Sequence, residues 1–65
     1  MANKLMEDRI EAIVKACNES NIDFELRYDP VSRMWDAWVY SAEEPDFTAD
    51  TFEDAIQAVE AELEL

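Results

Sequence analysis

Three features of this 65-residue sequence predict a small α+β domain of order α-β-β-β-α. Residues 3–19 and the stretch after Asp50 repeat apolar side chains with a 3.6-residue period, as helices buried on one side do. Ile22–Tyr28 alternates apolar and polar side chains, as a half-buried antiparallel strand does, and Arg33–Tyr40 is dominated by aromatic and β-branched residues, which favour a strand. Asp29-Pro30-Val31-Ser32 between them is turn chemistry, so the two strands should close as a hairpin. Two helices packed on one face of a short antiparallel sheet follow, as a single domain over residues 1–65.

In the first helix, Met6, Ile10, Ile13, Val14 and Cys17 form the apolar stripe, with Glu7, Glu11, Lys15 and Asn18 opposite. Asn3 is placed to cap it, and Lys4–Asp8 and Glu11–Lys15 are spaced as i,i+4 ion pairs. Asn18-Glu19-Ser20-Asn21 ends it, Asn and Ser favouring turns. On the first strand, Ile22, Phe24, Leu26 and Tyr28 share one face, and Asp23, Glu25 and Arg27 the other. On the second, Trp35, Ala37 and Val39 should face the core, leaving Met34, Asp36, Trp38 and Tyr40 on the outer side. That alternation predicts a buried Trp35 and a substantially more exposed Trp38.

After a connection through Ser41–Glu44 and Pro45, Asp46–Ala49 reads as a short third strand with Phe47 turned inward. Asp50 or Thr51 then caps a second helix, since Asp50 with Glu53 and Thr51 with Asp54 both have capping-box spacing. Phe52, Ala55, Ile56, Val59 and Leu63 are its apolar stripe. The chain has no Gly, so every turn is expected to use Asn, Asp, Ser or Pro.

Composition narrows the function. A domain of this size buries roughly 60% of its unfolded surface, enough for one thin core and no enclosing substrate cleft. The net charge is −12, unevenly spread. Residues 1–33 hold 7 acids and 5 bases, a balance of −2; residues 34–65 hold 10 acids and no base, a balance of −10. Such a field repels nucleic acid and anionic membrane and attracts a basic surface. One cysteine and no histidine leave no internal disulfide, no zinc site of the usual kind and no Ser/His/Asp triad. The N-terminal stretch does not read as a signal peptide, and no run approaches the roughly 20 apolar residues of a membrane span. A cytoplasmic location is expected.

The acids of the second half carry the functional reading. Asp50, Glu53 and Asp54 sit where a helix dipole welcomes negative charge, whereas Glu60, Glu62 and Glu64 sit where it does not. Glu60 and Glu64 are also spaced as a like-charged i,i+4 pair. On a helical projection Glu53, Glu60 and Glu64 share one side, about 10 Å and about 6 Å apart along the axis. Local rules broken in this way mark either a functional surface or a solubilising face. Glu43, Glu44 and Asp46 form a second acidic cluster around Pro45. Asp46-Phe47-Thr48-Ala49-Asp50 lacks the Gly and the distal Glu of a calcium loop, so no metal or other cofactor is expected. Paired carboxylates without a cleft to separate their pKa values do not make a hydrolase, so no catalytic residue is assigned. Cys17, on an apolar stripe, reads as core.

Met34, Asp36, Trp38 and Tyr40 could form an aromatic binding patch on the outer sheet face. Packing against the neighbouring strand, with a cation–π contact from Arg27, is the structural alternative.

The order α-β-β-β-α is similar to that of double-stranded-RNA-binding domains. Those place basic residues where this chain has Asp50-Thr51-Phe52-Glu53-Asp54, so the RNA-binding function does not carry over. The run Phe47-Thr48-Ala49-Asp50-Thr51-Phe52-Glu53-Asp54-Ala55-Ile56, after two alternating strands, resembles the strand-to-helix junction of HicB-type antitoxin domains, without their glycines and with an added N-terminal helix. That resemblance implies an antitoxin or adaptor domain that binds a protein through its sheet. In size, acidity and lack of motifs the whole chain resembles small phage-encoded inhibitors of the anti-CRISPR kind, some of which are DNA mimics. This implies a partner with a basic nucleic-acid-binding site, such as a Cas surveillance complex in a bacterial host cell. On charge and position, the expected partner-binding residues are Asp36, Trp38, Tyr40, Glu43, Glu44, Asp46, Asp50, Glu53, Asp54, Glu60 and Glu64, on a chain expected to be a monomer and not an enzyme.

Overall fold

The computed structural model describes residues 5–40 and 43–65. Its elements run α1 (Met6–Ser20), β1 (Glu25–Asp29), β2 (Met34–Trp38), β3 (Phe47–Ala49) and α2 (Phe52–Glu62). The three strands form one antiparallel sheet in the order β1-β2-β3. This is the α+β arrangement that the periodicities predict.

The register fixes the faces. Leu26 lies opposite Ala37 and Ala37 opposite Phe47; Tyr28 lies opposite Trp35 and Trp35 opposite Ala49. These residues share the inner face. Glu25, Arg27 and Asp29 lie opposite Trp38, Asp36 and Met34 on the outer face. Ile13 and Cys17 from α1, and Ile56 and Val59 from α2, meet Ala37 and Val39 in one cluster, so both helices cover the inner face. The molecule is only 15 Å deep in its thinnest direction, so the core is a single layer of side chains. Ile13, Val39, Ile56 and Val59 are fully buried, each contributing about 1.5–3 kcal/mol.

α1 starts at Met6 after Leu5, which makes no side-chain capping bond. Asn3 and Lys4, expected as cap and ion-pair partner, lie outside the described residues, as do Ser41 and Ala42. Val14, expected in the buried stripe, is 44% exposed. It lies about 100° from Ile13 around the helix, far enough to leave the face that meets α2. Glu11 and Lys15 are not within ion-pair distance; the ion pairs among the described residues involve Arg9 and Arg27 instead. On α2, the Thr51 hydroxyl accepts the Asp54 N–H at 3.1 Å, so Thr51 and not Asp50 is the N-cap.

Among the described residues the absence of Gly is met by three residues with left-handed backbone, Asn21, Arg33 and Glu64; only Asn21 is of the expected Asn, Asp, Ser or Pro kind, and Arg33 and Glu64 take the conformation where hydrogen bonds of the turn and helix end hold it. Asn21 closes α1 with bonds from its own N–H to the Asn18 carbonyl and from Ile22 N–H to the Cys17 carbonyl. Glu64 closes α2 in the same way, with Glu64 N–H to Ala61 and Leu65 N–H to Glu60. Both are Schellman closures, usually made by Gly. Arg33 ends the four-residue hairpin loop, where its N–H reaches the Asp29 carbonyl and the Asp29 side chain takes the Val31 N–H.

β1 begins at Glu25 and not at Ile22. Continuing the register would place Phe24 and Asp23 opposite Val39 and Tyr40. In a strand, the amides of adjacent residues point to opposite sides. Here the Val39 and Tyr40 amides both reach the carboxylate of Asp46, so the backbone has left strand geometry and the ladder ends at the Glu25–Trp38 pair.

Trp35 and Trp38 do not differ in burial as expected; both are half-buried. Trp35 does face inward, its ring 5.2 Å from those of Tyr28 and Phe52. Of these ring neighbours, Tyr28 is itself 45% exposed, so Trp35 is covered incompletely. On the outer face, Trp38 is shielded by Arg27, whose guanidinium carbon lies 5.1 Å from the ring centroid.

Candidate acidic interaction surface

The acidic residues of the second half divide by what surrounds them. One group is neutralised internally. Arg9 projects from α1 onto α2 and gives Glu60 two bonds, Nε to Oε2 at 2.9 Å and Nη2 to Oε1 at 2.6 Å. Its other nitrogen lies 3.5 Å from Glu53. The Arg9 and Glu60 side chains are 19% and 20% exposed, whereas Glu53 is 72% exposed. The fork of a guanidinium matches a carboxylate in this way, and the paired Glu60 raises the Arg9 pKa further.

This corrects the sequence reading of α2. Glu60 does not oppose the helix dipole uncompensated, because Arg9 supplies the positive charge. Nor do Glu60 and Glu64 form a helical i,i+4 pair, since α2 ends at Glu62 and Glu64 has left the helix. Arg9 escaped the sequence reading because its partner is 51 residues away. One local signal could have found it. Arg9 follows Met6 by three residues and precedes Ile13 by four, the spacing of neighbours on one helix face. A base at that place in an apolar stripe needs a carboxylate from the element packed against it.

Asp46 forms a second class. Its Oδ2 accepts the Val39 N–H at 2.7 Å and the Tyr40 N–H at 3.3 Å, while its own N–H reaches the Ala37 carbonyl at 2.8 Å. It fastens the β2–β3 connection from both sides. Tyr40 is 53% exposed, and its hydroxyl donates to Glu62 at 2.5 Å. That bond, then the loss of hydration and the charges of Glu62 and Asp46, raises the phenol pKa.

Asp36 and Trp38 belong to the outer sheet face. Asp36 is half-buried between Arg27 and Thr48 in the register. Arg27 also pairs with Glu25. Its cation–π contact with Trp38 is the structural alternative anticipated for this aromatic.

The remaining residues are Glu43, Glu44, Asp50, Asp54 and Glu64. All five are exposed. Among the described residues none has a basic side chain within 4.0 Å. Glu43 and Glu44 lie before β3 and Asp50 just after it, so the strand stands between the two sites. Asp54 follows in the first turn of α2. Among the described residues these five carboxylates thus keep their charge without a basic side chain in ion-pair distance, although Arg9 stands 3.5 Å from Glu53, the neighbour of Asp54. They can meet a basic surface by long-range attraction and direct carboxylate contacts.

Among the described residues no group of three or more His, Cys, Asp or Glu side chains is arranged to hold a metal ion. No described helix is long and apolar enough to cross a membrane. Burial pushes the Cys17 thiol pKa up, which lowers its thiolate fraction. Comparison with protein-family models, curated proteins and solved structures gives no match, so the functional reading rests on the residues themselves.

Proposed function

We propose that this chain is a binding protein and not an enzyme, and that it occupies a Lys/Arg-lined nucleic-acid site of a partner. A Cas surveillance complex is the partner class to test first, the chain excluding DNA from it in the manner of an acidic anti-CRISPR mimic. The supporting observation is the set of exposed acids, Glu43, Glu44, Asp50, Asp54 and Glu64, that have no basic neighbour among the described residues and lie in the half of the chain that has no base. Glu53 and Glu60 contribute less, because Arg9 already offsets their charge. Asp46 acts through the loop it holds. The proposed setting is the cytoplasm of a bacterial host cell.

The test is displacement of labelled target DNA from a panel of purified Cas surveillance complexes. Wild-type protein should displace DNA, and added salt should weaken it steeply. The variant Glu43→Gln/Glu44→Gln/Asp50→Asn/Asp54→Asn should lose most of that activity while remaining folded. Tight binding that leaves DNA in place would refute the proposal.

A second reading, a HicB-like antitoxin or adaptor domain, draws on the outer sheet face. Met34 and Trp38 are half-buried there although neither helix covers that side. Binding through that surface would be insensitive to salt and would be lost in Trp38→Ala.

A further inference from the structure

We infer that Tyr40 is an anchor for an arginine side chain of a basic partner protein, the guanidinium lying on the exposed phenol ring beside the carboxylates of Glu62 and Asp46. The ring is open to solvent and yet fixed. Tyr40 is 53% exposed, its hydroxyl donates to Glu62 Oε2 at 2.5 Å, and its backbone N–H reaches Asp46 Oδ2 at 3.3 Å. A side chain held at both ends loses little further freedom when a ligand settles on it. Both acids are exposed, and among the described residues neither has a basic side chain within ion-pair distance. A bond from an amide or a phenol leaves a carboxylate its charge. The two charges reach the phenol and help to raise its pKa. Glu43 and Glu44 follow shortly in the chain and add to the same negative field.

The chemistry of the site selects its occupant. The face of an aromatic ring attracts a cation, and an arginine can stack there while its planar fork bonds a carboxylate. The molecule makes this arrangement once internally: Arg27 lies over the Trp38 ring and pairs with Glu25. Tyr40 has the ring and the acids of that arrangement, but among the described residues no cation lies over it. A lysine would bring the charge without the stacking plane or the fork. Nucleic acid and a second copy of the chain are both disfavoured by the net charge of −12. A metal ion finds no group of three ligating side chains among the described residues. The inference deepens the proposed function and rests on it for the partner, naming which side chain of the basic site is held and by which ring.

The test uses the full chain, isotope-labelled and at low salt, titrated to high millimolar concentration with blocked Gly-Arg-Gly and, separately, blocked Gly-Lys-Gly. The two peptides carry the same charge, so a general field treats them alike. The expected result is saturable movement of the Tyr40 ring and Glu62 side-chain resonances. The arginine peptide should bind about threefold more tightly than the lysine peptide, the order of an exposed cation–π contact. Tyr40→Leu, at an exposed position, should keep a folded spectrum and erase that preference, whereas Tyr40→Phe, which keeps the ring, should retain it. Equal affinities in the wild type, a preference that survives in Tyr40→Leu or is lost in Tyr40→Phe, or shifts centred away from Tyr40 would each overturn the inference. So would concentration-dependent self-association through this ring. The DNA-displacement assay separates the inference from the reading it rests on. Equal displacement by wild type and Tyr40→Leu would overturn the anchor and leave the proposed function standing. Failure of the wild type to displace DNA would overturn the proposed function, while the peptide titration still decides the anchor.

Discussion

Replacing Asp46 by Ala should lower stability by about 1–3 kcal/mol, the cost of leaving a buried amide without its acceptor. The magnitude follows from the two bonds its carboxylate accepts. The Val39 bond is short, at 2.7 Å, and Val39 is 0% exposed, so water replaces that acceptor poorly. The Tyr40 bond is long, at 3.3 Å, and belongs to an exposed residue, so its loss is largely made good by solvent. One bond to an ionised acceptor therefore sets the cost. Asp46→Asn keeps an acceptor oxygen and loses the charge, so it should cost about half as much. Urea titration measures both. With a slope of roughly 1 kcal/mol per M for a domain this small, the Ala midpoint should fall by about 1–3 M. An unchanged midpoint would refute the stapling role. An Asn variant as unstable as the Ala variant would show that charge, not the acceptor, is what matters.

Other substitutions separate the remaining claims. Glu60→Gln should lower the melting temperature more than Glu53→Gln, because Glu60 shares two short bonds with a mostly buried Arg9 and Glu53 lies 3.5 Å away in solvent; equal effects would contradict the clamp. Arg33→Gly and Glu64→Gly should each stabilise by up to about 1 kcal/mol in chemical denaturation, since left-handed backbone costs a non-Gly residue roughly 1–2 kcal/mol and added unfolded-state freedom returns part of it. Asn21→Gly should be nearly neutral, because Asn tolerates that conformation. Stability should fall at alkaline pH. Cys17 and Tyr40 hold their protons more tightly when folded, so their contribution is complete below the ordinary thiol value of 9.0 and is lost as pH rises through the raised values. A melting temperature flat to about pH 11 would contradict both environments.

Much of the fold was legible because local pattern and tertiary role agree. Ile13 and Cys17 on α1, and Ala55, Ile56 and Val59 on α2, are buried where the helical period puts them. Ala37 and Val39 are buried where strand alternation puts them. Misreadings came from contacts distant in sequence. β1 waits until Glu25 because the Ile22 amide is taken by the closure of α1 on the Cys17 carbonyl, and because the Val39 and Tyr40 amides reach the Asp46 carboxylate beyond β2. The expected contrast between Trp35 and Trp38 failed because face assignment does not reveal how completely neighbouring side chains, here Tyr28 and Phe52, cover a ring. Trp38 gained cover from Arg27, which the strand pairing did make foreseeable.

The candidate surface was legible as charge and not as arrangement. Counting located the acidity in residues 34–65, but only the fold distinguishes Glu60, clasped by Arg9, from Glu64, which has left the helix. Asp46 and Asp50 look alike in sequence, on either side of β3. Both are exposed without a basic neighbour among the described residues, but Asp46 holds the Val39 and Tyr40 amides. The structure thus narrows the acids proposed to meet a partner to those that the fold does not already employ.

The central proposal is that these remaining carboxylates, and not the overall charge, engage a basic site. It is tested most directly by the salt dependence of affinity for a Cas surveillance complex from which the chain displaces DNA. Three proteins are compared at two ionic strengths: wild type, Glu43→Gln/Glu44→Gln/Asp50→Asn/Asp54→Asn, and the control Glu7→Gln/Glu11→Gln on α1. The quadruple variant should bind far more weakly and with a shallower salt dependence, while the control stays close to wild type. Equal loss per charge removed in the two variants would contradict the proposal, reducing the acidity to a general field.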